Sequence, residues 1–121
     1  MTTQSLVDRL LGHARDVLEG TVSVPRGQAS RLSSFLTRQA LEEVVYELCH
    51  AKGDRLDHPV KMRSRLIVIR ARYDGATAAL AGSAWSGLCG ACHHHAYELT
   101  PTVAEVRHLL SIVSKLHAIT S

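Results

Sequence analysis

Apolar residues recur along this chain mostly three and four positions apart, the period of a helix. From Thr3 to Glu19 the set Leu6, Val7, Leu10, Leu11, Ala14, Val17 and Leu18 predicts an amphipathic helix, and Gly20 is placed to stop it. Pro25 and Gly27 then mark a loop. A second, longer helix is predicted from Ser30 to Lys52. Its inward side is expected to be Leu32, Phe35, Leu36, Ala40, Leu41, Val44, Val45, Leu48 and Cys49, with Gly53 as the C-terminal stop. Asp54 to Pro59 form the next connection.

The segment Val60 to Tyr73 reads two ways. Its β-branched run Leu66-Ile67-Val68-Ile69 favours a buried strand. A helical projection is more coherent. Met62, Leu66, Ile69 and Tyr73 fall in one stripe, and Val60, Ile67, Val68 and Ala71 form a broader second apolar side. Lys61, Arg65 and Arg72 edge the first stripe on one flank, and Arg63 and Arg70 on the other. That pattern predicts a helix wedged between two neighbours, with long basic stems reaching out at the seams.

A fourth helix is predicted from Ala76 to Cys92, with Leu80, Ala81, Ala84, Trp85, Leu88, Cys89 and Cys92 inward. Gly82, Gly87 and Gly90 each cost it roughly 1 kcal/mol against alanine, which points to close approach by another helix. His93 to Leu99 read as a loop. Thr100 is the expected N-cap and Pro101 the first helical position of a fifth helix. It runs to about Ala118, with Val103, Val106, Leu109, Leu110, Val113 and Leu116 inward. The expected fold is therefore all-α, a single compact five-helix bundle of antiparallel up-and-down type over residues 1–121.

Composition agrees with that class. Over 121 residues, 45% are apolar and 21% charged, the balance of a soluble globular protein long enough to bury a core. Only 4% are aromatic, so the core is aliphatic, which suits helix-on-helix packing. The first residues lack a basic start followed by a long apolar run, and no window approaches the length of a membrane span. The expectation is a cytoplasmic protein with reduced thiols and no membrane partner.

Formal charge is only +3 but uneven. Lys52, Arg55, Lys61, Arg63, Arg65, Arg70 and Arg72 stand against Asp54 and Asp57 alone. Such a segment is able to neutralise an RNA backbone. Tyr73 is the only ring nearby, so stacking of single-stranded bases is not indicated. The preferred reading is a solvated helix edge whose arginines pair with Glu42, Glu43, Glu47 or Glu105.

Chemistry concentrates in Cys89-Gly-Ala-Cys92-His93-His94-His95. On a continuing helix Cys89, Cys92 and His93 share one face, and with Cys49 or a distant histidine they would give zinc its four ligands. Cys89-x-x-Cys92-His93 is also the attachment pattern of haem c, with His93 as proximal ligand and Met62 or another histidine as the sixth. The third reading, which we prefer, makes both cysteines small core residues, with no metal and no cofactor. No Gly-x-Ser-x-Gly, phosphate-cradling loop or His-Glu-x-x-His occurs, so no enzymatic chemistry is read from the motifs.

The stretch from Trp85 through Leu88-Cys89-Gly90-Ala91-Cys92-His93-His94-His95 and Tyr97-Glu98 to Thr100-Pro101 and Leu110 resembles the end of HEPN-type domains: a helix ending at a histidine, a short loop and a capped helix. The likeness covers about the last forty residues and is one of layout. It implies a small all-helical domain of the kind found in toxins, defence proteins and accessory modules. Active members are metal-independent RNases with an Arg-x(4–6)-His motif, often completed across a dimer. No arginine of this chain precedes a histidine at that spacing, so the resemblance implies a binding module more than a nuclease.

The preferred function is a non-enzymatic interaction or regulatory module that binds a protein partner or itself as a homodimer. Its surface is expected at His93, His94, His95, Tyr97 and Glu98 with the neighbouring Arg63 and Arg70. Second comes an RNA-binding HEPN protein or RNase using His94 and His95 with an arginine from elsewhere. Third is a zinc or haem c protein built on Cys89, Cys92 and His93.

Overall fold

Helical periodicity becomes helices at every predicted segment. The computed structural model describes residues 5–25, 27–54, 61–92 and 100–120. Five α-helices fill them: α1 (Leu6–Leu18), α2 (Ala29–Ala51), α3 (Met62–Arg72), α4 (Gly75–Cys92) and α5 (Val103–Thr120). There is no strand among the described residues. Residues 62–72, read as helix or strand, are helical, with Met62 and Ile69 buried and Leu66 and Tyr73 packed against the core.

Local chemistry sets the ends. Ser5 caps α1 by accepting from the Asp8 N–H, while the Asp8 carboxylate accepts from the Ser5 N–H in return. Asp74 caps α4 by accepting from the Thr77 N–H at 2.9 Å. The cap of α5 differs from expectation. Thr102, not Thr100, accepts from the Glu105 N–H at 3.1 Å, and the helix starts two residues past Pro101. The Thr102 to Glu105 spacing puts a hydroxyl opposite the third N–H and an acid in the first turn, which Thr100 does not. Gly20 and Gly53, in the left-handed region at φ 80° and 84°, follow α1 and α2 as predicted.

Each helix packs on the next in sequence, and α2 touches all four others. Around it α1, α5, α4 and α3 form an arc, with α1 on α5, α5 on α4 and α4 on α3. Helices α1 and α3 do not meet. The core is aliphatic as composition requires: Leu41, Val44, Val45 and Leu48 of α2 are fully buried with Val7, Ile69, Leu88, Val106, Val113 and Leu116. At Gly87 an added Cβ would lie 2.7 Å from Leu109 Cδ2, so α4 and α5 do approach closely there. Gly82 and Gly90 have no such neighbour.

Several residues of the predicted apolar sides are exposed: Leu6 of α1, Leu32 and Phe35 of α2, Ile67 and Ala71 of α3, and Val103 of α5. The first third of α2 turns Ser33, Ser34 and Thr37 inward instead. All three hydroxyls are satisfied on backbone carbonyls: Ser33 donates to Ala14 at 2.8 Å, Ser34 to Ser30 and Thr37 to Ser33, each at 2.7 Å. Buried hydroxyls with partners cost little, and their small size lets α1 and α2 approach. Ile67 and Ala71 are exposed because the stripe from Met62 to Tyr73 already fills the room beside α2, leaving the opposite side of α3 outward.

Candidate functional site

Arg63, Ile67 and Arg70 sit at i, i+4 and i+7 on α3, so they project to one side of the helix. That side borders α4. Between the helices lies a groove of about 500 Å³ lined by Arg63, Leu66, Ile67, Arg70, Gly82 and Trp85. Leu66 and Ile67 make it apolar, and Ile67 is 61% exposed. Gly82 keeps the α4 wall low. Trp85 is half-buried, and the Arg38 guanidinium from α2 lies 4.8 Å from its ring centroid. Arg38 is itself held by Glu42 at 3.6 Å.

The two arginines of the groove have no ion-pair partner among the described residues. Other cations of the basic segment are engaged, though not with the predicted carboxylates. Arg72 donates to both oxygens of Asp54 at 3.1 and 3.3 Å. Arg65 lies over the Tyr46 ring at 5.7 Å, and Lys52 over Tyr73 at 4.9 Å. Glu42 is taken by its own helix. The flank carrying Arg65 and Arg72 thus closes onto α2, while the flank carrying Arg63 and Arg70 stays open beside α4.

Of the residues singled out in the sequence, the structure brings Arg63 and Arg70 together. His93, His94, His95, Tyr97 and Glu98 lie outside the described residues, as does the rest of the predicted loop. Cys89 is half-buried, and Cys92 ends α4. Cys49, offered as a further zinc ligand, is buried between α2 and α3 and donates its thiol to the Arg65 carbonyl at 3.6 Å. Burial, then the nearby Asp54 charge, pushes that thiol up from its ordinary value. Met62, the proposed sixth haem ligand, belongs to the core. Among the described residues no three His, Cys, Asp or Glu groups converge as a metal set.

A second groove, of about 370 Å³, runs between the end of α4 and the start of α5 and includes Ser86, Glu105 and His108. No hydrogen bond joins those three side chains, so they form no nucleophile–base pair. Sequence reasoning missed the α3–α4 groove because it turned Ile67 inward. The i, i+4, i+7 spacing of Arg63, Ile67 and Arg70 was the signal that could have revealed it. Compared with protein families, with characterised proteins and with solved structures, the chain matches none. No helix among the described residues is long and apolar enough to cross a membrane.

Proposed function

We propose that this chain is a non-enzymatic interaction module that holds an acidic, amphipathic helix of a protein partner in the groove between α3 and α4. The observation that carries this reading is Ile67, 61% exposed between two guanidiniums that have no ion-pair partner among the described residues. An exposed aliphatic side chain in a groove gains about 1–2 kcal/mol when a partner covers the remainder of its surface. Exposed ion pairs add only about 0.2–1 kcal/mol each. Contact with Leu66, Ile67 and Trp85 therefore supplies most of the affinity, while Arg63 and Arg70 select for carboxylates and set the register. They stand seven residues apart, about 10.5 Å along the axis, and their long side chains reach carboxylates spaced one to two turns apart on the partner helix.

An RNA strand fits this groove less well. Its floor is apolar, Arg63 and Arg70 are the cations that line it among the described residues, and Arg38 already covers Trp85, the ring in that lining on which a base would stack.

Trp85 is the only tryptophan and lines the groove, so its fluorescence reports occupancy directly. The test titrates the protein with a synthetic helical peptide bearing leucines on one face and glutamates on its flanks, and separately with a single-stranded RNA of equal charge. The expected result is a saturable Trp85 change with the peptide that Arg63→Glu/Arg70→Glu abolishes. Binding of the RNA alone, or of neither probe, overturns the reading.

A further inference from the structure

The outer side of α2 matches the groove in chemistry but cannot reach it within one molecule. Helix α2 is packed on by four others, yet the gap between α1 and α3 leaves one side of it uncovered by any described helix. Leu32, Phe35, Gln39 and Tyr46 fall along that side, with Leu32 39%, Phe35 50% and Tyr46 38% exposed. Glu43 and Glu47 border it, and neither has an ion-pair partner among the described residues.

No other described part of the chain offers the same chemistry. Asp8 is held by Ser5 and His117, Asp54 by Arg72, and Asp74 by the start of α4. Asp16, Glu19 and Glu105 stand at helix ends away from an exposed apolar stripe of this length. An acidic amphipathic helix is what the groove is read to accept, and among the described helices α2 presents such a face.

Resting on that reading of the groove, we infer that a second copy of this chain is its occupant, with the outward stripe of α2 from one molecule seated between α3 and α4 of the next. The groove and the stripe lie on opposite flanks of α3. Arg65 reaches toward α2 and covers part of Tyr46, whereas Arg63 and Arg70 open toward α4. One molecule therefore cannot satisfy itself. The two surfaces differ, so the contact is head-to-tail: each molecule that docks keeps a free groove at one end and a free stripe at the other. Association then continues past the dimer unless the rotation closes a ring.

The test uses two variants that each remove one surface. Arg63→Glu/Arg70→Glu reverses the groove, and Phe35→Glu places a charge on the stripe at an exposed position that the core does not use. Sedimentation velocity of the wild-type chain is expected to show a mass that rises past the dimer with concentration and falls with added salt. Each variant alone should stay monomeric. Mixed in equal amounts they should form a one-to-one pair that grows no further, because one intact groove meets one intact stripe. Wild-type protein that stays monomeric while the synthetic acidic peptide still binds overturns this inference and leaves the groove standing as a site for another protein. A groove variant that dimerises while the stripe variant does not would indicate α2 against α2, and overturns it as well. Loss of both peptide binding and assembly removes both readings.

Discussion

The Ser33 hydroxyl donates to the Ala14 carbonyl oxygen at 2.8 Å, tying α2 to α1 through side chains small enough for the helices to meet. Both residues are fully buried. Replacing Ser33 by alanine removes one satisfied hydrogen bond but opens no large cavity, so the expected loss is about 1 kcal/mol. Replacing it by leucine asks the tight seam to admit three extra carbons, which costs about 1–3 kcal/mol or more. Urea unfolding of both variants checks the order. A leucine variant as stable as wild type would show that α1 and α2 are not closely packed at this point.

That seam marks where the fold stopped being legible in the sequence. Long periodic runs placed all five helices, and the stripe Met62, Leu66, Ile69, Tyr73 decided between helix and strand for α3. The first third of α2 misled because polarity alone cannot rank Ser33, Ser34 and Thr37 below Leu32 and Phe35 for burial. Hydroxyls that bond back to carbonyls behave as small core residues, and only the proximity of α1 shows that small is what the position requires. Thr102 as the cap of α5 was within reach, since Glu105 stands three residues on. The groove was half legible. Arg63 and Arg70 were assigned to one flank, but Gly82 and Trp85 face them only through the packing of α4 on α3.

Glycines in two helices separate intrinsic propensity from packing. Gly12 lies mid-way along α1, and an added Cβ would meet nothing within 4 Å. Gly12→Ala should therefore stabilise the protein by about 1 kcal/mol, the ordinary helix preference for alanine. At Gly87 the same Cβ would stand 2.7 Å from Leu109 Cδ2. Leu109 must turn away to admit it, so Gly87→Ala should recover only part of that gain or none. Thermal melts of the two variants check this. An equal rise in Tm for both would mean that Leu109 moves without cost.

Cysteine reactivity should follow burial. Cys49 is buried, its thiol donates to the Arg65 carbonyl, and burial holds it above the ordinary thiol range. The thiolate is the reacting species, so both access and ionisation oppose modification. In native protein at neutral pH, iodoacetamide should modify half-buried Cys89 well before Cys49, and Cys49 should be labelled only at the rate at which α3 lifts from α2 or the chain unfolds. Peptide mass mapping over a time course distinguishes the sites. Labelling of Cys49 as fast as Cys89 would contradict the packing of α3 over it.

Acid should loosen the join between the first and last helices. Asp8 is held below its ordinary value of 3.8, first by the Ser5 hydroxyl and then by the His117 side chain, whose Nε2 lies 2.9 Å from Asp8 Oδ1. The folded chain therefore favours ionised Asp8 more than the unfolded chain does. Its contribution is complete above 3.8 and disappears as the pH falls through 3.8 to the lower folded value. Asp8→Asn should be less stable than wild type near neutral pH, and the two stability curves should converge at the acidic end. Ser5→Ala should show a weaker form of the same pattern, since it removes the largest of the interactions holding the carboxyl down. Asp74, lowered by its hydrogen bonds to Thr77, should leave both variants with a residual acid slope. Urea midpoints measured from neutral to strongly acidic pH give the test. Curves for wild type and Asp8→Asn that stay parallel throughout would mean that Asp8 titrates alike in the folded and unfolded chain, and that its contacts with Ser5 and His117 carry no linkage.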